Sequence, residues 1–336
     1  MAKYFKDTES FVQAAGEKYR LTPYQKQLLR ELAEKREKER KQRKKEALKT
    51  IGSLLIVAVL LLAGWLYFHK KPEPFPNKDK LEMHFIDVGQ GDCTFIAANG
   101  MTMLVDCGEY EVSSDVISYL KSLGVIRLDY VVATHPHSDH MGGMARIIRV
   151  FDIGEVIIPH IPDDQLPTAV FFDKFLESCE DRGLSLTEAN PGMVLELGRA
   201  RAEIVSPADI KYEDLNNYSV SLLITHGSNS FLLTGDCEAE AEYAMLESDR
   251  LQKVTLYKAG HHGSSRSSTD EFLKMIRPKN AVISCGFENP YGHPSNITLK
   301  RLQEYTDKIY RTDICGNIEA ESDGSTLTIT CEREIK

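Results

Sequence analysis

Thr134-His135-Pro136-His137-Ser138-Asp139-His140-Met141-Gly142-Gly143 is the stretch on which the reading of this chain turns. Three imidazoles and a carboxylate fall between His135 and His140. That donor set suits zinc, and also manganese or iron where oxygen donors are plentiful. Just before it, Leu128–Thr134 is a β-branched apolar run that reads as a buried strand. Just after it, Met141-Gly142-Gly143 reads as a glycine turn opening a helix over Met144–Val150. The histidines themselves read as one short loop. A loop held between two rigid elements holds in place whatever it binds. A metal site is the expectation.

Other strand ends supply more donors. Leu232-Leu233-Thr234-Gly235-Asp236 is an apolar strand, a glycine and then an acid. A carboxylate there could bridge two cations about 3.5–4 Å apart. Lys258-Ala259-Gly260-His261-His262-Gly263-Ser264-Ser265 is a third such end. Of two adjacent histidines one can ligate while the other donates a hydrogen bond or a proton. Gly263 and Ser264 could present donors to an anion. His293, in Tyr291-Gly292-His293-Pro294-Ser295, could protonate a leaving group or hold an anionic oxygen. Asp87, Gln90 and Asp92 lie on a glycine-rich loop that could line a cleft. His84 alternates with apolar residues and reads as packing; His160 and His226 read as surface or structural residues.

From Leu81 onward short strands alternate with helices. Strands are expected at Leu81–Val88, Thr94–Ala97, Met101–Asp106, Leu128–Thr134, Val156–Pro159, Ala202–Ser206, Ser219–His226, Ser230–Thr234, Val254–Ala259 and Ala281–Cys285. Helices are expected near Ser114–Leu123, Thr168–Arg182, Glu238–Ser248, Thr269–Ile276 and Thr298–Tyr305. The pattern implies a layered α/β domain over residues 81–336.

The N-terminal part differs. Residues 1–50 carry 15 Lys+Arg against 8 Asp+Glu, whereas residues 51–336 carry 26 against 42. A basic arm is joined to a strongly acidic body. Between them, residues 51–68 (IGSLLIVAVLLLAGWLYF) contain no charge. At 1.5 Å per residue they span roughly 27 Å, enough for a bilayer core. An uncleaved transmembrane helix is expected, followed by a Pro-rich linker over 69–80. Nine Lys+Arg in 35–49 against four in 69–83 place the N-terminus in the cytoplasm, the C-terminal domain outside, and the protein at the cell membrane with a single pass. The seven cysteines are scattered and read as buried thiols, with Cys315 and Cys331, which flank a terminal hairpin, the one pair that could join.

Taken together, HFIDVGQGD (84–92), LVDCG (104–108), THPHSDHMGG (134–143), NNYSVSLLI (216–224), FLLTGDCE (231–238), HHGSS (261–265) and NPYGHPS (289–295) resemble the hydrolase domain of ComEC, a DNA-uptake channel family. Asp106, the His135–His140 segment, Asp236 and His261 look like four of the five signature elements of the metallo-β-lactamase fold. The resemblance covers about residues 81–331 and does not extend to the ComEC channel. It implies an αββα sandwich, here preceded by one transmembrane helix, with two divalent metal ions at one edge, zinc or else manganese. It assigns His135 and His137 to the first metal, and Asp139, His140 and His261 to the second. Asp236 is then the bridge, Asp106 an orienting residue behind the ligands, and Asp139, His262 and His293 the catalytic set. Asp87, Asn216, Ser219 and Ser264 would support the ligands or the substrate. One departure stands out. Many two-metal members give the first metal a third histidine from mid-domain. Here Asn216-Asn217-Tyr218-Ser219 occupies that place; only His160 and His226 lie between His140 and Asp236, and His160 could substitute.

The function these features imply is a membrane-anchored, metal-dependent phosphodiesterase or nuclease in which a binuclear site activates hydroxide. Its substrate would be DNA, a nucleotide or a cell-envelope polymer; no protein partner is legible. Lys258, Arg266, Lys274 and Arg277 could form a local basic patch that offsets the acidic body. The rival reading is a DNA-binding accessory protein of DNA uptake with little or no catalysis.

Overall fold

The computed structural model describes Gln13, residues 22–68 and residues 79–333, and within the helix ending at Phe68 it leaves out the side chains of residues 60–68 and several others. Most of the expected 69–80 linker and the start of the basic arm lie outside the described residues. The chain divides into two compact units, Met1–Lys71 and Pro72–Lys336.

In the first unit, Pro23–Phe68 is one helix, α1. Its first part is rich in Glu, Lys and Arg, and residues of it such as Gln27 and Glu31, or Lys41 and Glu37, pair one turn apart. The apolar run 51–68 is helical, as expected. The expected membrane anchor gains no support from it: among the described residues no helix is long and apolar enough to cross a membrane.

The second unit is built from two sheets. The first runs, edge to edge, β15 (Leu327–Cys331), β14 (Ile318–Ser322), β1 (Leu81–Phe85), β2 (Thr94–Ala98), β3 (Met101–Val105), β4 (Arg127–Val132), β5 (Asp152–Pro159) and β6 (Leu186–Ala189). The second runs β13 (Ile309–Arg311), β12 (Ala281–Ile283), β11 (Leu256–Lys258), β10 (Asn229–Leu233), β9 (Ser221–His226), β8 (Ala200–Ser206) and β7 (Val194–Leu197). Strand alternation divides the apolar residues between layers. Leu81, Met83 and Phe85 meet Leu222, Ile224 and Phe231 between the sheets. On the outer face of the first sheet, Phe95, Leu104 and Val131 lie under α2 (Ser113–Ser122), α4 (Met144–Val150) and α5 (Val170–Asp181), with α3 (Ser138–Met141) between α2 and α4 in sequence. On the outer face of the second, Leu232 and Tyr257 lie under α6 (Ala239–Glu247), α7 (Asp270–Ile276) and α8 (Asn296–Gln303). This is the expected αββα sandwich.

Helix starts follow local chemistry. The Thr269 hydroxyl accepts from Phe272 N–H at 3.4 Å and the Ser295 hydroxyl from Thr298 N–H at 3.1 Å, capping α7 and α8. Expected elements are found within a few residues of their expected ends. Strands β6, β7 and β13 were not foreseen, and Ser138–Met141 is a turn of helix, α3, rather than loop. The thiols are free in the structure; only Cys331 is not buried.

Candidate metal centre

Four strands end at one edge of the sandwich, and each delivers part of the site. β3 and β4 are parallel neighbours in the first sheet, and β10 and β11 in the second. Parallel neighbours end side by side, so the loops that follow them converge.

Asp106 follows β3 with a left-handed backbone, φ 56. Its Oδ1 accepts from Thr134 N–H at 2.8 Å, its Oδ2 from the Thr134 hydroxyl at 2.6 Å, and His140 Nδ1 lies 2.7 Å from Oδ2. Asp106 therefore joins the end of β4 to the ligand-bearing turn. His140 has one nitrogen committed to Asp106, and Nε2 is left facing inward, the arrangement by which a carboxylate orients a metal-ligating imidazole.

Beyond Thr134, His135 Nε2 lies 3.0 Å from His137 Nδ1. The Ser219 hydroxyl lies 3.3 Å from His135 Nδ1 and accepts from Asp236 N–H at 3.0 Å. Asp236 is buried at the centre of the group. Its Oδ1 is 3.3 Å from His140 Nε2; its Oδ2 is 3.4 Å from His262 Nε2, 3.7 Å from His261 Nε2 and 4.0 Å from His135 Nε2. Asp139 reaches in with Oδ2 3.2 Å from His262 Nε2. Gly235, at φ +52, makes the approach to Asp236 close: a Cβ on it would lie 2.9 Å from the Ser219 hydroxyl oxygen.

Adjacent histidines reach the same carboxylate because both have left-handed backbones, φ 50 at His261 and 53 at His262. That conformation costs about 1–2 kcal/mol per non-glycine residue and persists where the surroundings enforce it. Here the His262 Nδ1 contacts, 3.0 Å to the Ser284 carbonyl and 3.4 Å to Asp92 Oδ1, help to fix the ring.

Charge states follow from these neighbours. Burial, with His140 nearby, holds His135 well below the usual imidazole range; the same causes lower His137. Burial alone would lower His140 too, but Asp236, Asp106 and Asp139 raise it well above that range. His262 also overcomes burial, raised to about 9 by Asp236 and by hydrogen bonds to Asp139 and Asp92. Asp139 is held far below the carboxylate range by His140 and His262 despite its burial. Burial, His261 and His262 push His293 down to about 4.

The donor set fits divalent cations. His140 Nε2 and Asp236 Oδ1 are buried, and neither completes a hydrogen bond although they lie 3.3 Å apart. Imidazole and carboxylate donors turned toward one point with no hydrogen bond between them are what a cation would draw together. Asp92, His140, Asp236 and His262 form a buried cluster with ligand atoms within 4.8 Å of one another. Asp92 belongs behind it, because it faces the Nδ1 atoms of His140 and His262, at 4.0 and 3.4 Å, whereas Asp236 faces their Nε2 atoms.

An open cavity of about 500 Å³ lies over these groups. His137, Asp139, Asp236, His261, His262 and His293 face it, with Gln90, Asn216, Tyr291 and Phe171 among its other walls. Not every expected residue reaches it. Asp87 turns away to pair with Arg333 at 3.1 Å and to accept from Gly89 N–H at 3.2 Å. The Ser264 hydroxyl accepts from Arg266 N–H at 3.3 Å within its own turn rather than facing the cavity. His160 is exposed and lies 3.2 Å from Glu188, away from the ligands, so it does not substitute for a mid-domain ligand. His226 is buried against Ser322 at 3.0 Å, a structural place. The basic patch loses two of its members. Lys258 is buried and paired with Asp92, and Arg266 is engaged by Glu238 and Asp214 at 2.6 and 3.2 Å. Glu238 escaped the sequence reading as a site residue, and so did the pairing of Asp92, read only as a cleft residue, with Lys258, since these partners come together only in the fold.

Residues 86–286, more than half of the chain, match the pattern described as Metallo-beta-lactamase superfamily. ComE operon protein 3 of Bacillus subtilis (strain 168) is 30% identical over 260 residues, 71% of this chain and 32% of that protein. Recombination protein 2 of Haemophilus influenzae is 28% identical over 247 residues, 72% of this chain and 29% of that protein. The chain spans about a third of the length of these curated relatives. Among solved structures, the metallo-beta-lactamase fold protein YhfI from Bacillus subtilis is similar at a TM-score of 0.47 and 14% identity, over 73% of this chain and 100% of that one.

Proposed function

The chain belongs to the metallo-beta-lactamase superfamily, and from that premise we propose that it is a hydrolase of phosphodiesters working with two divalent cations. The observation that carries this reading is the convergence of His140, His262, Asp139 and both oxygens of Asp236 on the floor of an open cleft. His135 and His137 would hold a first cation, and Asp139, His140 and His262 a second, with Asp236 between them. His262 rather than His261 suits the second, because its Nε2 has the nearer contacts to Asp139 and Asp236. Cations bound there would activate water near neutral pH and stabilise charge on a phosphoryl oxygen.

The remaining work falls to the chain's own groups. Asp106, held by Thr134, keeps His140 in register. His293, pushed down to about 4, is neutral at pH 7. It can donate an N–H to an anionic oxygen of the substrate more readily than it can deliver a proton to a leaving group. Nucleic acid is the substrate class to try first. The recombination name belongs to a relative about three times as long, and only that suggestion is carried over from it. Attachment to a membrane through residues 51–68, with the hydrolase domain outside the cell, is part of the reading on sequence grounds.

The purified protein with zinc or manganese should cleave bis-p-nitrophenyl phosphate and single-stranded DNA. Asp236→Ala and His137→Ala should each lower the rate at least about a hundredfold, the scale expected when a transition-state charge stabiliser is lost. Activity that survives both substitutions would sink the proposal. DNA binding without turnover under any metal would favour the accessory role.

A further inference from the structure

Side chains of adjacent residues on an extended chain point to opposite sides, yet His261 and His262 both address Asp236, with their rings T-shaped at 6.0 Å. The donors around Asp236 then fall into two groups. Oδ1 faces His140 Nε2 at 3.3 Å. His140 Nε2 and His262 Nε2 flank Asp139 Oδ2 at 4.0 and 3.2 Å. Oδ2 faces His261 Nε2 at 3.7 Å and His135 Nε2 at 4.0 Å, and the latter lies 3.0 Å from His137 Nδ1. His262 Nε2 is 3.4 Å from Oδ2 as well, but its shorter contact, to Asp139, places it with His140.

The other nitrogen of His261 is also committed. Nδ1 lies 3.2 Å from Oε1 of Glu238, a buried carboxylate. That oxygen also accepts from the Asn216 amide at 3.2 Å, and Oε2 pairs with Arg266 Nη2 at 2.6 Å. A carboxylate on Nδ1 selects the tautomer whose Nε2 lone pair is free and fixes the ring's orientation, as it does for histidines that ligate metals. A histidine that merely lined the cleft would need no such clamp.

We infer that His261 is a ligand of the first cation, alongside His135, His137 and Asp236, and that Glu238, steadied by Asn216 and Arg266, is the positioning residue that holds it there. The assignment rests on the two-cation reading above. It supplies the first cation with a third imidazole without a mid-domain histidine: Asn216 acts one step back, through Glu238.

Zinc is the probe. The purified full-length protein is loaded, desalted and assayed for zinc per chain by mass spectrometry, with folding checked by circular dichroism. Wild type should hold two, and His137→Ala and His261→Ala one each. The double variant His137→Ala/His261→Ala should still hold one, because both residues serve the same cation. His137→Ala/His262→Ala should hold none. Glu238→Gln, a milder change, should weaken one of two zinc steps by about 10–100-fold in competition with a chelator and leave the other in place. Loss of both zincs from His137→Ala/His261→Ala overturns the assignment, as does Glu238→Gln with both steps unmoved, provided wild type holds two. A wild type that never holds two overturns the two-cation reading itself.

Discussion

Behind the ligands, the amine of Lys258 is buried against the carboxylate of Asp92, and Asp92 in turn faces the Nδ1 sides of His140 and His262. Asp92 is lowered from the ordinary carboxylate value: burial opposes this, but Lys258 and His262 outweigh it. Removing one member of such a pair leaves the other charge buried and alone, at a cost of about 3–5 kcal/mol. Lys258→Met should therefore lose about that much in denaturant unfolding, while Asp92→Asn/Lys258→Met should lose less. A single variant within about 0.5 kcal/mol of wild type, the range of ordinary surface changes, would mean the charge is solvated after all. The sequence displays the histidines because their type and spacing are local. The Asp92–Lys258 pair joins residues 166 apart, and nothing near either one announces the other. Reading Lys258 as a surface cation was the natural error, since lysine is seldom buried without a partner.

At the scale of elements, what holds the histidine pair is the turn between β11 and α7, and α6 braces it. Glu242 on α6 is buried, and its two carboxylate oxygens accept from Ser268 N–H and Thr269 N–H, the latter at 2.8 Å. Burial raises Glu242 to about 7, more than those hydrogen bonds lower it. Its folded pKa thus lies above its ordinary value of 4.5. The folded state then holds more protons than the unfolded one between the two values, so the stability linked to this group is full below about pH 4.5 and is lost as pH rises through about 7. The advantage of wild type over Glu242→Gln should accordingly be larger at pH 5 than at pH 8 in melting temperatures measured with metal chelated. A difference that does not vary with pH would show that Glu242 stays ionised throughout. Elements were legible where periodicity is strong, as in α4 and β10. They were missed where it is not. Strand β13 has three residues, all half-buried, and β6 ends in one buried alanine, so neither shows a clear apolar run. The turn Ser138–Met141 is too short for helical periodicity, and a string of ligands reads as loop.

Over the whole molecule the charge is divided, with an excess of seven positive charges in residues 1–50 and of sixteen negative in the remainder. The fold class was open to reading because three strand ends carry the ligands, and a fourth the aspartate behind them, in separate short motifs; the course of residues 69–78 was not, and it lies outside the described residues. If residues 51–68 anchor the chain, it should sediment with membranes through high-salt washing and come free only with detergent. Substituting Lys at Leu54, Val57 and Leu61 should release it, because a charge near the bilayer centre costs about 2.5–3.5 kcal/mol. Recovery of wild type in the soluble fraction would end the anchoring proposal. The acidic body makes a further demand on the substrate. A protein that gathers phosphates with lysine and arginine loses affinity steeply as salt rises. Here Lys258 and Arg266 are tied to acids, so the approach of a polyanion meets net repulsion, which salt screens over about 10 Å at 0.1 M. With DNA as substrate, kcat/KM should therefore rise several-fold between about 20 and 150 mM salt. With bis-p-nitrophenyl phosphate, a single charge that enters the cleft directly, it should change much less. A steep fall with salt on DNA would reveal a basic track, and the most basic stretch of the chain is the arm that precedes residue 51.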